Sequence, residues 1–453
     1  LYVSDVDLPR IPARNNFHID YLGSRFGFDN SYAPANLSRD ALEKAKLKFF
    51  CDKYSNYDDD IMLGCVLELL KMSSVMQNST ILNWDQVIAN VNRPKSSGYA
   101  LRSFINKGNV LEDKRMCELL QLSWNEFRLG YTAPNDVKLK VELRDLERVL
   151  AKKTRLYCSC NMEFCLFGLH LFGDMNDKIS QNPFKTPFLI GINPYFHWDK
   201  LANILCDRES LGYNSRFSDL SNQDNTTSPE LFRAIAFFRW CCLSPEHQTF
   251  DTLTSINQYY REMSYAPVII YGKWFDRNGG LMSGSSTTIT DNCIGITLIK
   301  IYDYVLQCKA NGKQIDVQND LILNAVGDDC ADSVPVWMSH EFTTSTFKNV
   351  FGMTINIEPT HTFRTGTFLS GNFMYHDELC RWVRAPDRKK IICSIAYYKG
   401  KPETYESRIC GLLLLSYVYP DLFNQVYNFY VSRFKRVPPI SKEKIRRVFT
   451  HEH

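Results

Sequence analysis

Three short stretches of this chain carry residue types suited to phosphoryl chemistry. Asp219 and Asp224 close the run Asp-Leu-Ser-Asn-Gln-Asp; Ser283-Gly284 is followed by Thr288 and Asn292; Gly327 precedes Asp328-Asp329. Alone, each is unspecific, because acidic pairs and Gly-Asp steps are common turn formers. Together they have a chemical logic. Joining two nucleotides calls for two hard cations about 3.5–4 Å apart, held by carboxylates and phosphate oxygens. One cation activates the attacking hydroxyl and the other stabilises the leaving pyrophosphate. Asp219 and Asp328, at the ends of two strands, could clamp such a pair, with Asp329 assisting. Thr288 and Asn292 are four apart and share one helix face. That face could present hydrogen-bonding groups to a ribose while Asp224 approaches from the opposite side. A 2′-hydroxyl both donates and accepts, so an Asn–Asp pair suits the choice of ribonucleotides. Gly284 supplies a corner where backbone can approach the template or the incoming sugar.

These residues need elements to position them. Ser228-Pro229-Glu230 predicts a helix start, with a cap, a Pro at the first helical position and an acid near the positive end of the dipole. Leu231, Ile235, Phe238 and Cys242 follow at helical spacing. A second helix is predicted after Gly284, with Ile289, Cys293 and Ile296 on one face. Leu321–Val326 and Cys330–Val336 flank Gly327-Asp328-Asp329 as a strand–turn–strand unit. Residues 1–40 read as irregular up to Ser38, which caps a helix. Helical patterns continue through Asp60–Met72 and Asn83–Val91, and Asp58-Asp59-Asp60 is a helix start rather than a metal cluster. The last seventy residues read as helical, punctuated by Pro420 and Pro438-Pro439.

The chain has 453 residues, with 53 Lys+Arg against 50 Asp+Glu. That length implies two or three domains or subdomains. A net charge of +3 gives bulk electrostatics no preference for nucleic acid, so any basic surface must be local. Residues 138–155 are that local exception: Lys138, Lys140, Arg144, Arg148, Lys152, Lys153 and Arg155 outnumber Glu142, Asp145 and Glu147. Taken alone this is a solvated face. The 15 scattered cysteines and the absence of a signal peptide suggest a reducing, intracellular setting. No apolar run approaches the roughly 18–20 residues of a membrane span. Cys158, Cys160, Cys165 and His170 fit no familiar zinc spacing and read as packed thiols. Leu412–Leu415 reads as core, and His451-Glu-His453 as a frayed tail. The chain opens Leu-Tyr-Val-Ser, as expected of a fragment or of a product cut from a polyprotein.

The motifs, in this order, resemble those of the RNA-dependent RNA polymerases of picornavirus-like positive-strand RNA viruses. Lys95-Ser96-Ser97-Gly98-Tyr99 is similar to the template-entry motif. Lys140-Val-Glu-Leu-Arg144 with Lys153-Thr-Arg155 resembles the basic motif of the nucleotide channel. Asp219…Asp224 with Ser228-Pro229 matches the first catalytic motif. Gly279 through Asn292 matches the sugar-selecting motif, and Ala325-Val-Gly-Asp328-Asp329 the metal-binding hairpin. Phe351-Gly-Met-Thr354 and Phe368-Leu-Ser-Gly-Asn-Phe373 resemble the two later motifs, the second being the primer grip. Arg381-Trp-Val-Arg384-Ala-Pro and Arg436-Val-Pro438 echo segments of the thumb. The resemblance runs from about residue 95 to the C-terminus.

The resemblance implies an α+β, closed right-hand fold of fingers, palm and thumb, with a small antiparallel palm sheet backed by helices. It divides the chain into fingers (1–190), palm (191–238), a fingers insertion (239–278), palm again (279–374) and thumb (375–453). The implied activity is template-directed RNA synthesis by two-metal transfer, with Mg²⁺ (Mn²⁺ as substitute) on Asp219, Asp328 and Asp329. Arg144, Lys153 and Arg155 would meet the triphosphate, while Asp224, Ser283, Thr288 and Asn292 read the ribose. Lys140, Arg148, Ser96, Ser97, Gly98, Tyr99 and Gly284 would contact RNA. Implied partners are template and nascent RNA, ribonucleoside triphosphates, a genome-linked protein primer and other viral replication proteins. The implied location is the host cytoplasm, in membrane-associated replication complexes.

The chain departs from the family pattern in three places. Asn222-Gln223 replace an aromatic step before Asp224, and Val326 replaces a frequent Tyr. A Lys proposed in the family as general acid for pyrophosphate is missing after Thr354; Glu358-Pro-Thr-His361 stands in that stretch, and His361 could donate the proton, its imidazole titrating near neutrality. Rival readings are a reverse transcriptase-like enzyme and a non-catalytic RNA-binding protein on a polymerase-like fold. The Ser-Gly…Thr…Asn pattern argues against the first, and the intact carboxylates against the second.

Overall fold

The computed structural model describes residues 25–27, 31–131, 133–398 and 402–451. Residues 1–24 of the irregular opening and Glu452-His453 of the tail lie outside these.

At the centre is an antiparallel sheet. Its strands are β1 (Tyr213–Ser221), β2 (Ala325–Val326), β3 (Asp329–Pro335) and β4 (Thr354–Ile357), in the order β4–β1–β3–β2. Side chains alternate across it. Phe217 of β1 and Ala331 of β3 pack with Trp198, Leu201, Phe363 and Phe373 on one face. Leu220, Cys330 and Ile355 join the main core with Leu231, Ile235, Ile294 and Leu298 on the other. Burying a side chain such as Phe217 stabilises the fold by about 1.5–3 kcal/mol, and burial on both faces fixes the register. Helix α1 (Pro229–Cys241) starts as its sequence predicts: Ser228 Oγ accepts from Leu231 N at 3.1 Å. Helix α2 (Thr288–Asn311) lies against β2 and α1.

Two expectations change in detail. Cys293 and Ile296 are buried, but Ile289, in the first turn of α2, is 44% exposed at the helix end. The first arm of the hairpin is two residues long rather than Leu321–Val326. Asn324 turns its backbone N–H to the Asp332 carboxylate at 2.9 Å, which interrupts regular pairing there.

A second, mixed sheet pairs Asn135–Leu139 antiparallel with Leu156–Ser159 and parallel with Val268–Ile270. Segments on either side of β1 and α1 in sequence thus share one sheet. Tyr32–Pro34 pairs with Leu143–Asp145, and the Tyr32 hydroxyl donates to Asp387 at 2.6 Å, linking the basic region to the start of the C-terminal part. There, Gly371–His376 and Arg381–Pro386 form a ribbon with Thr367–Phe368, followed by four helices around Ile409, Leu413, Val426, Tyr430 and Ile445. Leu412 is in that core, as expected. Ser38, Asp58 and Asn83 each cap a helix. No helix among the described residues is long and apolar enough to cross a membrane.

Candidate active site

The sheet register builds the acidic centre. Asp219 lies opposite Asp329 on one side and opposite Asn356 on the other, so three polar residues form one row across β3, β1 and β4. Asn356 Nδ2 approaches the Asp219 carboxylate at 3.4 Å and donates to Ser221 Oγ at 2.9 Å. Val326 pairs with Asp329, leaving Gly327-Asp328 as a two-residue turn. Gly327 has φ +67°, a conformation that costs a glycine little and that tight hairpins require. Leu220 N donates to Asp328 O at 3.2 Å, which draws the turn over the end of β1.

The three carboxylates strain against one another. Burial, then the charges of Asp328 and Asp219, push the Asp329 carboxyl up to about 7. Burial also raises Asp328, with Asp219 and Asp224 adding to it. Carboxylates drawn together with their charged forms disfavoured are a donor set suited to hard cations. Among the described residues no three acidic, His or Cys side chains enclose an ion unaided. Any bound ion therefore needs oxygens from elsewhere, as a substrate phosphate would provide.

Next to this row sits a closed polar network. Asp224 Oδ1 accepts from Asn292 Nδ2 at 2.8 Å and Oδ2 accepts from Ser283 Oγ at 2.8 Å. Thr288, expected beside Asn292 as a sugar contact, instead donates its hydroxyl to Met282 O at 2.8 Å and Ser285 O at 3.1 Å. It shapes the loop that presents Ser283. Gly280 N and Leu281 N donate to Thr227 O and Asp224 O, so this loop is tied to the Asp224 segment through backbone. Arg277 is fully within the protein and donates to Gly279 O and Gly280 O; the sequence reading missed it. A Cβ on Gly284 would lie 2.6 Å from Cys158 O, so the loop also abuts the second sheet.

The basic segment is organised by one carboxylate. Glu142 accepts from Arg155 Nε at 2.9 Å and from a second Arg155 nitrogen at 2.7 Å, and pairs with Arg144 at 3.3 Å and Lys140 at 3.4 Å. Its own pKa is lowered, burial opposing but the hydrogen bonds and charge of Arg155 prevailing. The Arg155 pKa is raised, chiefly by its hydrogen bond to Glu142, with the charges of Asp328 and Asp224 adding to it. Sequence counted Glu142 only as a counter-charge. Arg148 pairs with Asp145 at 3.4 Å, Lys138 with Asp136, and Lys152 with Asp40; Lys153 is exposed.

The Ser96–Tyr99 stretch is held against another helix. Met162 N donates to Ser97 O at 3.1 Å, and a Cβ on Gly98 would lie 2.6 Å from Asn161 Cα. Ser96 is exposed, and Tyr99 lies under the Arg102 guanidinium at 4.6 Å.

His361 does not join the acidic centre. Its carbonyl accepts from Ser215 N, four residues before Asp219, which places it about 13 Å down the strand at roughly 3.3 Å per residue. Its ring lies 5.4 Å from His340. The chain beyond β4 simply continues along β1, away from the hairpin. None of the 15 cysteines forms a disulfide. Cys160 and Cys165 pack beneath Met282 and Gly284, and a hydrogen bond from Cys160, with help from Lys107, pulls the Cys165 thiol down to about 6. His170 turns instead to Leu82 O and the Trp84 ring, so no zinc set forms.

A model of the viral RNA-dependent RNA polymerase family matches residues 67–433. The chain is 22% identical over 446 residues to the genome polyprotein of watermelon mosaic virus II (isolate USA), covering 93% of this chain and 42% of that polyprotein. It is 23% identical over 442 residues to that of zucchini yellow mosaic virus (strain Reunion Island), covering 92% of this chain and 14% of the other. The chain thus spans less than half the length of these relatives. Its fold matches a solved Sicinivirus 3Dpol RNA-dependent RNA polymerase with TM-score 0.80 and 16% identity, over 100% of this chain and 99% of that one.

Proposed function

The chain belongs to the viral RNA-dependent RNA polymerase family, and on that premise we propose that it extends an RNA 3′-end with ribonucleoside triphosphates under the direction of an RNA template. The observation that carries this reading is the row of Asp329, Asp219 and Asn356, topped by Asp328 at the hairpin turn. Asp219, Asp328 and Asp329 would hold divalent cations, Mg²⁺ with Mn²⁺ as a substitute, which supply activation of the 3′-hydroxyl and charge stabilisation at the leaving pyrophosphate.

The chain's own residues divide the remaining work. Arg155, Arg144 and Lys153 bind the triphosphate; an always-charged planar guanidinium suits phosphate oxygens. Asp224, Ser283 and Asn292 read the ribose, and Thr288 supports them by holding the Ser283 loop. Lys140, Arg148, Ser96–Tyr99 and Gly284 line the path of the RNA. His361 has no part in the chemistry. The fingers, palm and thumb follow the division 1–190, 191–238, 239–278, 279–374 and 375–453. Release of this chain by proteolysis is in keeping with the polyprotein relatives; other viral replication proteins and a genome-linked protein primer as partners, and membrane-associated complexes of the host cytoplasm as the location, are further parts of the proposal.

Primer extension on homopolymeric RNA with Mg²⁺ tests the reading. Wild type should incorporate NTP in preference to dNTP, and Asp328→Asn should not extend. A wild type that extends no primer would favour a non-catalytic RNA-binding protein, incorporation unchanged by Asp328→Asn would overturn the role of Asp328, and equal use of dNTP would favour a reverse transcriptase-like enzyme.

A further inference from the structure

Gln223 stands where the family often has an aromatic residue. It follows Asn222, whose φ of +63° makes the turn out of β1, and it directly precedes Asp224. An aromatic ring here could only pack. Gln223 is 5% exposed, and its Nε2 donates to the backbone carbonyl of Asn292 at 3.0 Å. A carbonyl can only accept, so the carboxamide's orientation is settled. Neighbouring residues are therefore bonded twice across the same gap: Gln223 to the Asn292 backbone, and the Asn292 side chain to Asp224.

Two buried acceptors are left over. Gln223 Oε1 and Asn292 Oδ1 have no hydrogen-bond partner among the described residues. Buried polar atoms are rarely left so, and each calls for a reason. An acceptor held ready for a hydroxyl that arrives with the substrate is such a reason for Asn292.

We propose that Gln223 is a positioning residue for sugar selection: its carboxamide sets the separation of Asp224 and Asn292, and so the preference for ribo- over 2′-deoxyribonucleotides. This rests on the polymerase reading above. The gap must accept a 2′-hydroxyl while keeping a donor and an acceptor within hydrogen-bond reach of it, a tolerance of a few tenths of an ångström. A bond from the residue next to Asp224 onto the backbone of Asn292 governs that gap directly. A bond elsewhere in the core would not.

The test compares ATP, 2′-dATP and 3′-dATP as single-nucleotide substrates for wild type, Gln223→Met and Gln223→Glu. Met keeps the length without a donor, and Glu replaces the donor with an acceptor that repels the Asn292 carbonyl. Both variants should lose about fivefold to tenfold of the ATP over 2′-dATP preference, the effect of one hydrogen bond, mainly through KM for ATP. The preference for ATP over 3′-dATP should stay as in wild type. In an Asn292→Ala background, Gln223→Met should change the 2′ preference no further, since the two act through one gap. Equal loss on all three substrates, or additive losses in the double variant, would overturn the proposal. If Gln223→Met melts below the assay temperature, Gln223→Glu and Gln223→Leu carry the same comparison. A wild-type chain that extends no primer would defeat the polymerase reading itself, whereas an active wild type with substrate-independent losses defeats only the role of Gln223.

Discussion

The acidic centre and the basic strip are built by opposite means. The acidic centre is a product of backbone: three strands in register and a two-residue turn place Asp219, Asp328 and Asp329, and little neutralises them. The basic strip is a product of side chains: Glu142 gathers Lys140, Arg144 and Arg155 and partly cancels them in advance. A site that awaits strongly charged ions can stay frustrated until they arrive. On the proposed reading, a site that must hold a triphosphate and let pyrophosphate go at each addition needs its charge moderated.

Four experiments would break or sharpen this contrast. The largest effect should come from Asp328→Asn, which removes a carboxylate proposed to hold a cation while keeping the length of the side chain. Nucleotide addition should fall by on the order of 10²–10³ or more, measured by primer extension, and chelation of divalent ions should do the same to wild type. Next is the buried pair that secures the acidic hairpin from behind. Lys300 on α2 is bonded to Asp332 on β3, with side chains 9% and 1% exposed. Lys300→Met strands a buried carboxylate and should cost about 3–5 kcal/mol in thermal or denaturant unfolding. The double change Lys300→Met with Asp332→Leu should recover most of that loss; no recovery would show that the pair does more than pin the hairpin.

A smaller effect is expected for Glu142→Gln. With its bidentate partner gone, Arg155 should wander, raising KM for NTP about tenfold, the worth of a charge-assisted hydrogen bond. The rise should steepen with salt, while kcat changes little; a fall in KM would mean that Glu142 only restrains the cations. The smallest effect is His361→Ala. Elongation rate and its pH profile should match wild type, because the imidazole sits far down β1 from the hairpin.

Much of this was legible beforehand, for physical reasons. Helix starts at Ser38, Asp58, Asn83 and Ser228 were readable because capping is local chemistry. The Gly327-Asp328 turn was readable because few residues tolerate its backbone. What escaped depends on contacts remote in sequence. Glu142 matters because the chain returns thirteen residues later with Arg155 beside it. Gln223 matters because α2 passes within 3.0 Å of it, 69 residues on. Thr288 shares a helix face with Asn292 as expected, yet the preceding loop folds back to occupy its hydroxyl. For His361, proximity along the chain to β4 says nothing of which way the chain then runs, and it runs beside Ser215.

The pairing of Asp219 with Asp329 has a consequence for how errors in this protein show themselves. Side chains alternate along a strand, so a slip of one residue between β1 and β3 would turn one carboxylate to the opposite side of the sheet and expose Phe217 or Ala331 in exchange. No intermediate arrangement is available. A molecule that assembles its centre wrongly thus has no centre at all, and on the proposed reading it would be silent rather than inaccurate.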